Sequence, residues 1–167
     1  MGAGKSTVAA MIILGAATNR RLVEMDSEIE KREGLSVKEI FEKKLEPYFR
    51  AVEREVVKVL SNQHGLVVSC GGGVPINQDN VTDFKRNGVV IYLKASAGTI
   101  YERLKGDTSR PLLNVPNPLE AIKKLMMERE PFYQRADAII STDGKNPKDI
   151  AHEILCLVEK IESGHSA

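Results

Sequence analysis

The glycine-rich segment Gly2-Ala3-Gly4-Lys5-Ser6-Thr7 constrains the fold of this chain more than any other part of its sequence. The segment matches the second half of the phosphate-binding pattern G-x-x-x-x-G-K-[ST], in which backbone N–H groups surround phosphate oxygens. In that pattern the lysine places a positive charge on the β- and γ-phosphates, and the serine hydroxyl faces a magnesium ion. We therefore predict a phosphate site at Lys5 and a magnesium ligand at Ser6. Taken alone, the segment is also compatible with a glycine-rich turn that caps a helix.

The chain begins inside this pattern. Its first glycine would lie two positions before Met1, and the buried strand that normally delivers the loop would come before that glycine. We therefore expect the natural protein to start upstream of Met1, where a targeting segment could also have been present.

Length and charge restrict the kinds of partner. The 167 residues fit one domain, and 24 basic against 23 acidic residues give a net charge of +1 without a basic block. We therefore expect small-molecule partners, no nucleic acid and no membrane surface. The two cysteines, Cys70 and Cys156, have neither disulfide-framework nor zinc-site spacing, and no apolar run is long enough to span a membrane. A reducing, cytoplasmic location follows as the expectation.

The alternation of apolar segments indicates an α/β fold. Near-continuous apolar runs separated by helical patterns are typical of a parallel sheet that is covered on both faces. The capping-box spacings that begin at Ser27 and Ser36 predict two short helices. The stretch from 105 to 117 is rich in glycine, proline and asparagine and predicts a mobile lid. Strands are predicted at 22–26, 66–69, 89–93 and 138–141, and other helices at 6–17, 46–60, 77–85, 96–104 and 118–134. The first helix is apolar on every side, so we expect it to be buried all round.

Ligands of open parallel sheets bind at the carboxyl ends of the strands, and polar residues follow the strands here. Glu24 and Asp26 end the first strand, and a run of glycines at 71–73 follows the second. Asp26 could instead be a helix N-cap, and the glycines a flexible turn. Arg50 could form only a surface ion pair with Glu53. Arg110 and Arg129 could likewise be solvated surface residues.

The order of these motifs resembles that of the shikimate kinase family from Met1 to about Pro147. The matching motifs are Gly2-Ala3-Gly4-Lys5-Ser6-Thr7, Asp26-Ser27-Glu28-Ile29-Glu30, Ile40-Phe41, Glu46-Pro47-Tyr48-Phe49-Arg50 with Glu53, Gly71-Gly72-Gly73, Arg110-Pro111-Leu112-Leu113 and Arg129-Glu130-Pro131-Phe132-Tyr133. The resemblance implies a three-layer P-loop kinase fold with a central parallel sheet, a helical substrate-binding insertion and a mobile lid. It implies one kinase domain over 1–167 that acts as a monomer, with the core at 1–26, 61–104 and 119–162, the substrate-binding helices at 27–60 and the lid at 105–118.

The resemblance also implies the substrates and the roles of the site residues. The substrates would be ATP, with Mg²⁺, and shikimate, which carries a carboxylate that guanidinium groups can bind. The catalytic residues would be Lys5, Asp26 and Arg110. Gly2, Ala3, Gly4, Lys5, Ser6, Thr7, Arg103, Arg110 and Pro147 would bind the nucleotide, Asp26, Arg50, Gly71, Gly72, Gly73 and Arg129 would bind shikimate, and Ser6 and Glu24 would hold the metal.

Several features depart from the family pattern. Glu24 stands where aspartate is usual, Cys70 replaces threonine or serine, and the helix after the loop lacks the usual basic residue. The first strand, central in the family sheet, is absent, so we expect this chain to be poorly stable and weakly active. Two alternatives remain open at this point: a kinase for another small polyol acid such as gluconate, or a truncated protein that binds nucleotide or shikimate without turnover.

Overall fold

The computed structural model describes residues 2–15, 19–105 and 115–164. These ranges contain seven α-helices and four strands. They are α1 (Lys5–Gly15), β1 (Arg21–Glu24), α2 (Met25–Glu33), α3 (Val37–Ser61), β2 (Leu66–Ser69), α4 (Gln78–Asn87), β3 (Ile91–Lys94), α5 (Ala97–Leu104), α6 (Pro118–Tyr133), β4 (Ala138–Ser141) and α7 (Pro147–Gly164), with a short 3-10 turn at Val74–Ile76. The predicted α/β class is confirmed. Within the described ranges no helix has the length and apolar character that a membrane span requires.

The strands form two separate parallel pairs. β1 pairs with β2, and β3 pairs with β4. A cavity of ≈ 560 Å³ lies between the two pairs, and its lining includes residues 66–69 of β2 and 91–93 of β3 but none of β1 or β4. The edges of β2 and β3 that lack a strand partner in the described chain therefore face this cavity, which we call the slot. Ala3 and Lys5 also line the slot, so the phosphate-binding segment lies beside the space that a further strand would fill.

Three apolar clusters surround the strands. The largest joins α3 to β1 and α2, with Met25, Ile29 and Ile40 fully buried. A second packs α1 against α7. The prediction that α1 is buried all round is wrong, since Leu14 is 77% exposed. The reason is that α1 packs mainly against α7 and the β1–β2 pair, which leaves Leu14 near its end in solvent.

Two local predictions about helix starts have different outcomes. Ser36 begins α3 with the predicted capping box, in which its hydroxyl accepts from the backbone N–H of Glu39. The capping box predicted at Ser27 is wrong, because α2 already begins at Met25, directly after β1. α3 is broken at Leu45, whose φ of 66° lies in the left-handed region, so the predicted helix starting at Glu46 is its second part.

Candidate active site

The phosphate-binding segment has the conformation that its glycines allow. Gly2 and Gly4 have φ values of 65° and 82°, which residues with a Cβ rarely adopt. α1 begins immediately afterwards at Lys5, and the backbone N–H of Val8 donates to the Gly4 carbonyl at 2.9 Å. The loop thus leads directly into the N-terminus of an 11-residue helix, whose partial positive charge favours a bound phosphate.

Ser6 and Glu24 form an oxygen-rich corner beside this loop. The Ser6 hydroxyl donates to Oε2 of Glu24 at 3.1 Å and lies 3.4 Å from the Ser69 hydroxyl. The described residues contain no cluster of three or more carboxylate, histidine or cysteine side chains suited to a metal. Magnesium usually takes only one or two protein carboxylates and completes its shell with phosphates and water. The hydroxyl and carboxylate oxygens at this corner therefore fit a nucleotide-bound magnesium ion.

Asp26 lies one residue beyond the start of α2, at the carboxyl end of β1. It is therefore in the first turn of the helix and not at its N-cap, which is Glu24. The side chain remains open to solvent, yet desolvation by the surrounding protein raises the pKa of its carboxyl above the usual 3.8, while the charge of Lys5 lowers it. A carboxylate that is accessible and easily protonated is suited to accepting a proton from a bound hydroxyl group.

The glycine run connects Asp26 to Arg50. A Cβ on Gly71 would lie 3.1 Å from Oδ1 of Asp26, and a Cβ on Gly73 would lie 2.2 Å from Nη1 of Arg50. Gly73 has a φ of −91°, which any residue can adopt. The absence of a Cβ at Gly71 and Gly73 thus allows this close approach, because a side chain at either position would crowd the carboxylate or the guanidinium.

Arg50 is held by two carboxylates. Nη1 donates to both carboxylate oxygens of Glu53 at 3.0 Å, while Nε and Nη2 donate to Oε1 of Glu46 at 3.1 and 2.9 Å. Burial works against the charged form of Arg50, but the two carboxylates outweigh it and raise its pKa. Glu53 is only 2% exposed, so the alternative of a simple surface ion pair with Glu53 is wrong.

α6 is anchored to the same glycine run. The Tyr133 hydroxyl donates to the Gly72 carbonyl at 2.8 Å, and its ring packs against Tyr92 with centroids 4.9 Å apart. Arg129 lies one helical turn before Tyr133, half-buried, and both line a small cavity of ≈ 40 Å³. No carboxylate in the described part of the chain pairs with Arg129. Its cation is therefore available to an anionic ligand.

Arg103 connects the phosphate loop to the end of β4. Its Nη1 donates to the Gly2 carbonyl at 3.3 Å and to the Thr142 hydroxyl at 3.2 Å, and Nη2 donates to the Thr142 carbonyl at 3.2 Å. Pro147 begins α7 after the turn that follows Thr142. The structure thus brings Arg103 to the turn that precedes Pro147, as a nucleotide-base site would require. Arg110 and most of the predicted lid lie outside the described residues.

Three groups that hydrogen-bond within the candidate site are not indicated by the sequence: the Tyr133 hydroxyl, Ser69 and Thr142. Their contacts join segments far apart in the chain, so no local pattern indicates them. Glu53 is different. It falls within the buried face of α3, in step with Phe49, Val52, Val56, Val57 and Leu60. That helical spacing marks it as a buried acid that needs a partner.

Together, a phosphate loop ahead of the first helix and an acid–arginine site at the carboxyl ends of parallel strands place the chain among the P-loop kinases. The shikimate kinase family model matches residues 1–159. The chain therefore belongs to the shikimate kinase family, and the resemblance noted in its motifs is confirmed.

Individual relatives and solved structures agree with this assignment. A shikimate kinase of Sulfurihydrogenibium sp. is 44% identical over 160 residues, covering 96% of this chain and 94% of the relative. That of Persephonella marina is 43% identical, covering 93% and 92%. The structure is similar to that of shikimate kinase from Acinetobacter baumannii in complex with shikimate, with a TM-score of 0.85, 35% identity, and coverage of 96% of this chain and 89% of that one. For shikimate kinase from Aquifex aeolicus the TM-score is 0.81, with 38% identity and coverage of 95% and 92%.

Proposed function

We propose that this protein catalyses the ATP-dependent phosphorylation of shikimate to shikimate 3-phosphate in aromatic amino-acid biosynthesis. One observation carries the proposal within the family: Asp26 lies against Gly71 and Arg50 against Gly73, so the glycine run brings an acid and a guanidinium to the same part of the molecule. Shikimate has the matching groups, since its ring carries hydroxyls and a carboxylate. The related Acinetobacter baumannii structure is a complex with shikimate, which supports the same substrate.

The acceptor would be bound between the two arginines and Asp26. Arg50 and Arg129 would hold the carboxylate, and the backbone of Gly71, Gly72 and Gly73 would lie against the ring. Asp26 would orient the 3-hydroxyl and take its proton as the oxygen forms a bond to the γ-phosphorus. The bond from that phosphorus to the β–γ bridging oxygen breaks at the same time, and ADP leaves.

The nucleotide would lie along the loop of residues 2–7, with its base between Arg103 and Pro147. Lys5 and Arg110 would neutralise charge that develops on the transferred phosphoryl group, which is the main contribution of protein groups to this class of reaction. Ser6, directly, and Glu24, through water, would hold Mg²⁺, which when bound neutralises phosphate charge.

The chain would work as one domain and a monomer. In this proposal its core comprises 1–26, 61–104 and 119–162, the helices of 27–60 bind shikimate, and a lid at 105–118 excludes water. A reducing cytoplasm suits the two free cysteines, Cys70 and Cys156.

The test is a coupled ADP-release assay with ATP, Mg²⁺ and shikimate, beside a reaction without acceptor. Asp26→Asn preserves the shape of the side chain and removes the base, so it should abolish most of the shikimate-dependent release. Gluconate in place of shikimate is the control for another polyol acid. ADP release that is independent of acceptor, or higher with gluconate, would contradict the proposal.

The slot between β2 and β3 favours a second candidate, binding without turnover, because the phosphate loop has no adjoining strand in the described chain. Calorimetric titration separates the two. Shikimate binding without any shikimate-dependent ADP release would support the binding-only function.

A further inference from the structure

The two arginines proposed to bind the substrate carboxylate differ in their ion pairs. Arg129 is half-buried and pairs with no carboxylate of the described residues. Arg50 already contacts two carboxylates, those of Glu46 and Glu53. With both glutamates charged, this cluster carries one negative charge in excess. An incoming carboxylate would add a second, so binding at Arg50 requires that one of the glutamates give way.

The two glutamates are not equivalent. Glu53 is buried, its side chain is only 3% exposed, and it contacts Nη1 through both oxygens. The side chain of Glu46 is 60% exposed and contacts the opposite edge of the guanidinium, Nε and Nη2. Moving Glu53 would leave a buried charge unpaired, which is costly, whereas Glu46 can turn into water.

Glu53 contacts only Nη1 and leaves the Nε–Nη2 edge of the guanidinium to other groups. Gly73 packs against the Nη1–Nη2 end, where a Cβ would lie 2.2 Å from Nη1 and 2.6 Å from Nη2. Nη1 is used by Glu53. The Nε–Nη2 edge is a fork that matches a carboxylate, and Glu46 is the group that occupies it.

We propose that Glu46 is an exchangeable partner of Arg50: it holds the guanidinium in place while the site is empty and yields the Nε–Nη2 edge to the carboxylate of the substrate. The inference rests on the proposed function. Glu46 starts the second part of α3, directly after the break at Leu45, so its side chain can leave without a change in the packed helix. Glu46 thereby selects acceptors with an anionic group, since a neutral analogue cannot replace its charge on Arg50.

Glu46→Gln tests the exchange, because the amide keeps the shape of the side chain but competes weakly for a guanidinium. We expect it to tighten shikimate binding about two- to five-fold, the range of an exposed ion pair. The KM for shikimate should fall accordingly and kcat should stay unchanged. High salt should reduce the difference from the wild-type chain.

The matched control is Glu55→Gln, which removes an exposed glutamate on the same helix that pairs with Lys58 outside the site. Shikimate and its methyl ester are titrated by calorimetry into the full chain of each form, and Arg50→Ala is included. The exchange is supported if, relative to the wild-type chain, Arg50→Ala binds shikimate more weakly, Glu46→Gln binds it more tightly and Glu55→Gln binds it equally well. The ester should gain nothing from Glu46→Gln.

The two variants Arg50→Ala and Glu46→Gln distinguish a failure of the exchange from a failure of the proposed function. If Arg50→Ala weakens shikimate binding but Glu46→Gln leaves it equal or weaker, Glu46 is a fixed support and the exchange is wrong, while the proposed function stands. If Arg50→Ala has no effect, Arg50 does not bind the carboxylate, and both the exchange and this part of the proposed site are overturned.

Discussion

Arg50 lies against Gly73 so closely that a Cβ on this glycine would be 2.2 Å from Nη1 of the arginine. The contact is between elements distant in sequence, the second part of α3 and the turn after β2. It also explains the glycine by space and not by backbone conformation, because the φ of Gly73 is −91°.

The first prediction follows from this contact. Gly73→Ala should displace the guanidinium from the substrate site, since the buried Glu53 restricts how far Arg50 can move. We expect the KM for shikimate to rise by up to about 100-fold, because a displacement of about 1 Å at a positioning group can have an effect of this size, with a small change in the KM for ATP. Steady-state kinetics with each substrate varied would measure both constants.

Gly98→Ala is the control for this substitution. Gly98 lies in α5, and a Cβ there meets no other atom within 4 Å. Its kinetics should match the wild type. An unchanged KM for shikimate in Gly73→Ala would contradict the placement of Arg50 in the site.

The second prediction concerns Asp26 and uses its raised pKa. Because the folded protein holds this pKa above 3.8, the acidic limb of kcat/KM against pH should lie above that of an ordinary aspartate. The same shift destabilises the fold at neutral pH: the contribution of Asp26 to stability is greatest at low pH and is lost as pH rises through the unfolded and then the folded pKa. Asp26→Asn should therefore abolish most activity yet raise the melting temperature at pH 7.

Thermal unfolding of both forms at pH 7 and at pH 4 checks the sign. The stabilisation by Asp26→Asn should be smaller at pH 4, because a larger part of the carboxyl is then protonated in both the folded and the unfolded state than at pH 7. A lower melting temperature of the variant at pH 7 would show that Asp26 supports the fold instead of straining it.

The third prediction is that the Tyr133 hydroxyl positions the glycine run. Tyr133→Phe removes the donor to the Gly72 carbonyl, and the loss of one hydrogen bond should lower kcat/KM for shikimate about five-fold. The KM for ATP should not change, because the hydroxyl lies on the acceptor side. The matched control is Tyr101→Phe in α5, whose hydroxyl makes no hydrogen bond within the described chain. Equal losses in both variants would indicate a general effect on stability.

Structural features that are set by neighbouring residues are predicted better from this sequence than contacts between segments far apart in the chain. The strand limits 66–69 and 138–141 are correct because short runs of β-branched residues between turns leave little choice. The predicted start of α2 is too late in the sequence, because β1 passes directly into this helix without a turn. The close contact of Gly73 with Arg50 and the hydrogen bond of Tyr133 to Gly72 arise only in the folded chain. The motif order therefore predicts Arg50 and the glycines in one site but indicates neither contact, and it gives Tyr133 no role.

The last prediction concerns the slot, whose apolar lining and two free strand edges suit one further parallel strand. An N-terminal extension of about ten residues, which carries a short apolar strand that ends at the phosphate loop, should fill it and join the two strand pairs. Pairing with both edges and burial of apolar side chains should raise the melting temperature by at least about 5 °C and increase shikimate-dependent ADP release. The control is an extension of equal length made of glycine and serine, which cannot bury apolar surface. Equal melting temperatures and equal activities of the two extended forms would show that the slot does not accept a strand.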